Sequence, residues 1–264
     1  RAPERVVGLH FFNPAPVMDL VEVVAGVASA PWAVERAAAI ATDWGKTPIR
    51  CADLPGFIVN RVNRPFTLEP LRLLRSGLGT VASIDDALVA AGYPMGPFQL
   101  MDLIGIDVNL AAARGLFEGF DRAATFRPSP IQEELVAAHQ LGRKTDLGFY
   151  RYQHGKRLAP APRFARPEVG APGSTALDPD SVAERVTLAI VNEAYRALGD
   201  RVAAPDDIDL ALRLGAGHPV GPFEWARRRG LAEVALGLDA LSEDDADTFR
   251  PALALLREAR RTGA

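Results

Sequence analysis

Seven residues, GYPMGPF at 92–98, return as GHPVGPF at 217–223 with both glycines, both prolines and the phenylalanine intact. In a chain of 264 residues two such copies leave room for little besides a doubled unit, so the fold must be one that tolerates duplication. At an offset of 124, Arg61 also pairs with Arg185, Val62 with Val186, Glu69 with Glu193, Arg72 with Arg196, and Ile84-Asp85 with Ile208-Asp209; the offset then becomes 125. Read alone, G-x-P-x-G-P-F is a tight turn joining packed helices, because Gly permits positive φ and Pro fixes φ near about −65°. Duplication of such a helix pair serves packing or assembly more often than a second active site.

The residues before the first copy have a different texture. RVVGLHFF and VMDLVEVVAGV are short, β-branched segments that read as buried strands, separated by NPAP. PWAVERAAAIATDWG follows as a helix, with Pro31 in its first turn and Gly45 at its end, and TPIRCAD is a third strand. Strand, strand, helix, strand do not close a doubly wound sheet, and no G-x-G-x-x-G occurs in the sequence. This stretch is therefore expected to be the tail of a larger α/β domain. From Leu54 onward the apolar spacing is helical, with Ser83 expected as the N-cap before Ile84. LAPAPRFARPEVGAPGSTALDPD lacks periodicity and reads as a linker, after which helices resume at Ser181. The expected organisation is 1–54 as the end of an α/β domain, 55–157 as a first helical domain, 158–180 as a linker and 181–264 as a second helical copy.

Composition narrows the function classes. A hydrophobic share of 48% with 24% charged residues is ordinary for a globular protein, and a net charge of −3 gives no attraction for nucleic acid. A single cysteine, Cys51, fits a reducing compartment such as the cytoplasm, and no apolar run reaches membrane-spanning length. His139, His154 and His218 are scattered without zinc spacing, so no metal is expected. Arg227-Arg228-Arg229 reads as a solvated helix face and Ser242–Asp245 as a helix start.

Four blocks, GLHFFNPAPVMDLVEVV, GKTPIRCADLPGFIVNRV, GYPMGPFQLMDLIGID and LGRKTDLGFYRY, resemble the 3-hydroxyacyl-CoA dehydrogenase family in order and spacing over about residues 1–152. The second copy extends the resemblance over most of the rest. The resemblance implies a mainly α fold: two tandem 6-phosphogluconate-dehydrogenase C-terminal-like helical domains preceded by the last strands and helix of an incomplete Rossmann α/β domain. It implies NAD as cofactor, a 3-hydroxyacyl-CoA as substrate, and oxidation of the 3-hydroxyl. Carried over by position, His10 becomes the base, Glu22 its hydrogen-bonded carboxylate and Asn60 a substrate contact. Asn13 and Lys144 become cofactor contacts. An imidazole that titrates near neutrality suits the removal of a hydroxyl proton.

The residues themselves leave one point open. A tight hairpin centred on 13–16 sets His10 opposite Asp19, with Glu22 three positions further along, so either acid is a candidate partner. Asp146 and Leu147 replace the family's usual Gly and polar residue, which puts the shape of that turn in question. The second copy has Glu184 at the position of Asn60 and no His–Glu pair before it, so only the first copy is expected to face substrate. The competing reading is an assembly module without catalysis. The two copies are expected to fold on each other as a pseudo-dimer, with a homodimer as the alternative.

Overall fold

The computed structural model describes residues 2–165 and 176–262; the middle of the expected linker, 166–175, lies outside the described residues. The strands and helices, in chain order, are β1 Gly8–Phe11, β2 Leu20–Ala25, α1 Pro31–Asp43, β3 Thr47–Ala52, α2 Val59–Val62, α3 Pro65–Arg75, α4 Val81–Ala90, α5 Pro97–Ile104, α6 Ile106–Gly119 and α7 Pro130–Ala137. They continue as β4 Tyr150–Gln153, β5 Lys156–Pro160, α8 Pro179–Gly199, α9 Pro205–Ala216, α10 Pro222–Arg229, α11 Leu231–Ser242, α12 Ala246–Phe249 and α13 Leu253–Thr262. The protein is mostly helical, and the three expected strands and the helix among them are all present. Leu158–Pro160, expected within the linker, instead complete β5 by pairing with β4, Pro160 opposite Tyr150.

The described residues form two compact units. One holds 1–63, 191–243 and 249–264; the other holds 64–190 and 244–248. One boundary, 190/191, falls inside α8, and each unit contains residues from both copies of the repeat.

In the first unit β2 is the central strand, antiparallel to β1 and parallel to β3. Successive side chains of a strand alternate between faces. Val21 and Val23 point to one face, where they form a core with Val34, Ala38 and Ala41 of α1. Leu20, Glu22 and Val24 point to the other face and are also buried, at 0–4% exposure, so β2 is covered on both sides. That second cover comes from α9, which packs on β2, β3 and α2. The approach is close: a Cβ on Gly215 of α9 would lie 2.7 Å from Leu20 and 3.0 Å from Val59.

The second unit is the helical bundle of α3 to α7 with the β4–β5 hairpin. Pro65, lacking an N–H, opens α3. Thr80, rather than Ser83, caps α4: Ser83 N donates to Thr80 Oγ1 at 3.0 Å, and Thr80 N donates to Ser83 Oγ at 2.9 Å. The helix begins a turn early because Val81, like Ile84, belongs to the buried stripe. Asp102, whose carboxyl burial pushes up to about 6, accepts from Phe149 N and Tyr150 N at 2.9 Å each and fastens the hairpin to α5. In the turn before it Asp146 has φ +59, so the left-handed geometry that favours glycine is kept by a residue type that tolerates it.

The repeated turn has a physical reason that its residue pattern shows only in part. Asp85 accepts from Phe98 N at 2.9 Å and Gln99 N at 3.1 Å, closing the first turn of α5. Asp209 accepts from Phe223 N at 2.8 Å and Glu224 N at 2.9 Å, doing the same for α10. A Cβ on Gly96 or Gly221 would overlap those carboxylates. The repeat therefore preserves an Asp and a Gly together, one filling the space the other leaves. Only Gly92 and Gly217 use positive φ, at 99° and 67°.

Candidate active site

His10 and Glu22 are directly opposite in the antiparallel ladder of β1 and β2. The His10 Nδ1 lies 2.7 Å from Glu22 Oε2. The open choice between Asp19 and Glu22 thus resolves to Glu22, because the connection 12–19 is longer than a tight hairpin and moves the register. Glu22 is wholly buried, while the His10 side chain keeps 31% of its surface exposed. The second carboxylate oxygen accepts from Ile58 N at 3.0 Å and Val59 N at 2.8 Å. A buried acid is tolerated only with such partners. These amides come from the start of α2, and they are aimed by Gly56 and Phe57, both left-handed at φ 76° and 47°. Phenylalanine in that region carries strain of about 1–3 kcal/mol, which the surrounding structure must hold.

A carboxylate accepts only, so the His10 Nδ1 carries the proton of that hydrogen bond. Two aromatic rings flank the imidazole, Phe12 edge-on with centroids 4.8 Å apart and Phe57 tilted at 5.6 Å. Asn60 follows on α2, half-buried, and its side-chain amide makes no hydrogen bond among the described residues. Cys51, buried nearby on β3, is not a nucleophile: burial pushes its thiol well above the ordinary range, with the Glu22 charge adding.

The second copy holds α2 in place. Arg61, 2% exposed, donates from Nε to Glu193 at 2.7 Å and from Nη2 to Asp200 at 2.6 Å. The Asn63 carboxamide oxygen lies 2.8 Å from His218 Nε2. These contacts could not be found from spacing, because residues of one copy meet their partners in the other.

His218 is buried, and burial pushes its pKa down to about 4. A depressed histidine pKa stabilises the fold above the unfolded value near 6.5, and that stability is lost as pH falls toward 4. The expected result is that wild type loses up to about 3 kcal/mol relative to His218→Gln between pH 7.5 and 4. Urea unfolding of both proteins at each pH measures it; parallel curves would show that His218 does not titrate this way.

Of the two expected cofactor contacts, Asn13 is exposed just beyond β1. Lys144, in the second unit, lies 2.6 and 2.7 Å from the two oxygens of Asp107, and that contact holds the Asp107 carboxyl below its usual range. The solvated Arg triplet is confirmed: Arg227, Arg228 and Arg229 are 47–66% exposed and pair with Glu258, Glu224 and Glu233. Among the described residues no helix is long and apolar enough to cross a membrane.

A family model described as the 3-hydroxyacyl-CoA dehydrogenase NAD binding domain matches residues 1–54, and the model of the C-terminal domain of the same family matches twice, at 56–152 and 182–264. The chain belongs to the 3-hydroxyacyl-CoA dehydrogenase family. These are NAD-dependent oxidoreductases, and the three matches leave few residues unassigned. Among curated relatives, the 3-hydroxyadipyl-CoA dehydrogenase of Escherichia coli is 35% identical over 97% of this chain and 70% of its own length. The fatty acid oxidation complex subunit alpha of Acinetobacter baylyi is 39% identical over 89% of this chain. The chain spans 34% of that longer protein. The solved structure of 3-hydroxybutyryl-CoA dehydrogenase from Escherichia coli covers all of this chain and 72% of its own, with a TM-score of 0.87 and 33% identity.

Proposed function

We propose that this chain supplies the substrate-facing residues for NAD-dependent oxidation of the 3-hydroxyl of an acyl-CoA to the 3-oxoacyl-CoA. The observation that carries the reading is the half-exposed His10 imidazole whose Nδ1 is bonded to the buried Glu22. NAD, when bound, accepts the hydride. Its pyrophosphate cradle is not among these residues, since the sequence holds no G-x-G-x-x-G; Asn13 and Lys144 are each carried over as a cofactor contact by the family resemblance. The Lys144–Asp107 pair is exposed and worth at most about 1 kcal/mol.

The chain's own part is the proton. As the C–H bond breaks, the hydroxyl proton passes to His10 Nε2, and Glu22 stabilises the imidazolium that forms. Asn60 donates to the substrate oxygen, and Phe12 and Phe57 exclude water around the ring. Residues 55–160 and 179–264 act as tandem helical domains, 1–54 as the end of the nucleotide domain and 161–178 as their connection. The second copy, with Glu184 in place of Asn60, is a scaffold. Each compact unit is completed by a segment of the other copy, Arg61 with Glu193 in one and Arg185 with Glu69 in the other, as in an exchanged dimer joined into one chain. NADH-dependent reduction of acetoacetyl-CoA by the full-length protein tests the reading; activity that survives His10→Ala unchanged would refute it.

A further inference from the structure

The second unit holds a cavity of about 190 Å³ lined from the end of α3, the start of α7 and the segment around the start of α12. Every lining residue belongs to that unit. Leu68, Leu71 and Pro128 give it an apolar wall. Pockets for whole small molecules run to about 300–1,000 Å³, so this space suits one small polar group.

Ser129 lines the cavity with 8% of its surface exposed, yet its hydroxyl makes no hydrogen bond among the described residues. It stands at the N-cap of α7, where a serine hydroxyl ordinarily accepts from an amide of the first turn. Here that bond is not made. Gln132 N and Glu133 N donate instead to the Ser129 carbonyl, at 3.1 and 3.2 Å, and Ile131 N has no acceptor among the described residues. A nearly buried hydroxyl without a partner, beside a helix start with an unused amide, is fitted to meet an anion.

Two guanidiniums line the same cavity, Arg75 from the last turn of α3 and Arg127 two residues before Ser129. Both are exposed, and neither makes an ion pair or hydrogen bond among the described residues. A third arginine, Arg72, is already bonded to Glu69, Thr248 and the Thr125 carbonyl, so it adds charge rather than a free donor. Of the two lining acids, Asp245 accepts from Thr248 N at 3.1 Å and lies 3.7 Å from Arg72, and Asp247 is exposed. Three guanidiniums against two carboxylates leave the cavity cationic.

We propose that this cavity is a phosphoryl-binding site in which Arg75 and Arg127 supply the charged donors and Ser129 with the first turn of α7 supplies the neutral ones. Donors on three separate stretches of backbone match the three oxygens of a phosphoryl group better than the two coplanar oxygens of a carboxylate. The occupant is inorganic phosphate or the phosphate monoester of a small metabolite whose remainder extends into solvent. The assignment stands on the second unit alone and does not depend on the dehydrogenase reading.

Calorimetric titration of this chain with sodium phosphate, and separately with glycerol 3-phosphate, tests it in low-chloride buffer near neutral pH. Saturable binding is expected. Arg75→Gln and Arg127→Gln should each weaken it by at least about tenfold, the order of one charge-assisted hydrogen bond, and Ser129→Ala by at least about threefold. Arg151→Gln removes an exposed arginine of β4 that does not line the cavity, and it should bind as wild type does. Bound anion should also raise the melting temperature of wild type and not that of Arg75→Gln or Arg127→Gln, whose melting temperatures without anion should match wild type. Tighter binding of glycerol 3-phosphate would identify an esterified occupant, and equal or weaker binding would identify free phosphate. No saturable binding of either anion up to about 10 mM, affinity unchanged in Arg75→Gln and Arg127→Gln, or an equal loss in Arg151→Gln would overturn the proposal.

Discussion

His10→Ala in the full-length protein is expected to lower kcat for acetoacetyl-CoA reduction by about 10²–10⁴-fold, the usual contribution of a positioned general acid–base group. The KM should change far less, since the imidazole acts on a proton in flight and contributes little to holding coenzyme A. The size of the effect follows from the arrangement. Glu22 is wholly buried and its other oxygen stays fixed by the amides of Ile58 and Val59, so it is not placed to replace the lost base. Cys51 is excluded by its buried, high-lying thiol. Steady-state kinetics measures the change, and a variant within about twofold of wild type in kcat would remove His10 from the mechanism.

Glu193→Ala and Glu69→Ala are each expected to cost up to about 3–5 kcal/mol, because each removes the buried carboxylate that two guanidiniums share, leaving Arg61 the half-exposed Asp200 and Arg72 the more distant Asp245. The two glutamates are equivalent by repeat and by contact. Glu69 bridges Arg185 at 2.6 Å and Arg72 at 3.1 Å, and Glu193 bridges Arg61 at 2.7 Å and Arg196 at 3.6 Å. Burial pushes the Glu193 carboxyl up, against the pull of Arg61, so the desolvation it bears is large. Similar losses in urea unfolding are expected, but different losses of activity. Arg61 belongs to α2, which carries Asn60 and the amides that hold Glu22; Arg185 belongs to α8, which carries no such group. Glu193→Gln should therefore depress kcat under conditions where it remains folded, and Glu69→Gln should not. Equal effects on kcat would mean that the second copy serves stability alone.

The sequence was informative wherever one residue type meets one requirement locally. β-branched runs became β1 to β3, Pro31 opened α1, and Gly45 adopted φ 73° after it. The family blocks brought His10 and Glu22 together. The register was less legible, because a connection of unknown length leaves the strand pairing undetermined. Here Lys46 Nζ donates to the carbonyls of Ala15 and Met18 at 2.8 Å each and holds 12–19 as an open loop, so Glu22 and not Asp19 faces His10. Backbone donors were invisible for a similar reason: D-L-P-G-F reads as a turn, but nothing in those letters says that the amides beyond it point at a glutamate. The repeat showed which residues are equivalent, Arg61 with Arg185 and Glu69 with Glu193. It did not show that arginine of one copy meets glutamate of the other, because equivalence and contact are separate properties of a duplicated chain.

The proton on His10 Nδ1 is the most direct probe of the proton-handling pair. In a spectrum of the ¹⁵N-histidine-labelled chain near neutral pH, a hydrogen-bonded Nδ1–H resonance should be visible for His10 and should move or vanish in Glu22→Gln while the signals of His139 and His154 stay in place. A His10 ring whose protonated nitrogen is Nε2, or whose resonances ignore the Glu22 substitution, would show that the carboxylate does not set the imidazole for proton transfer.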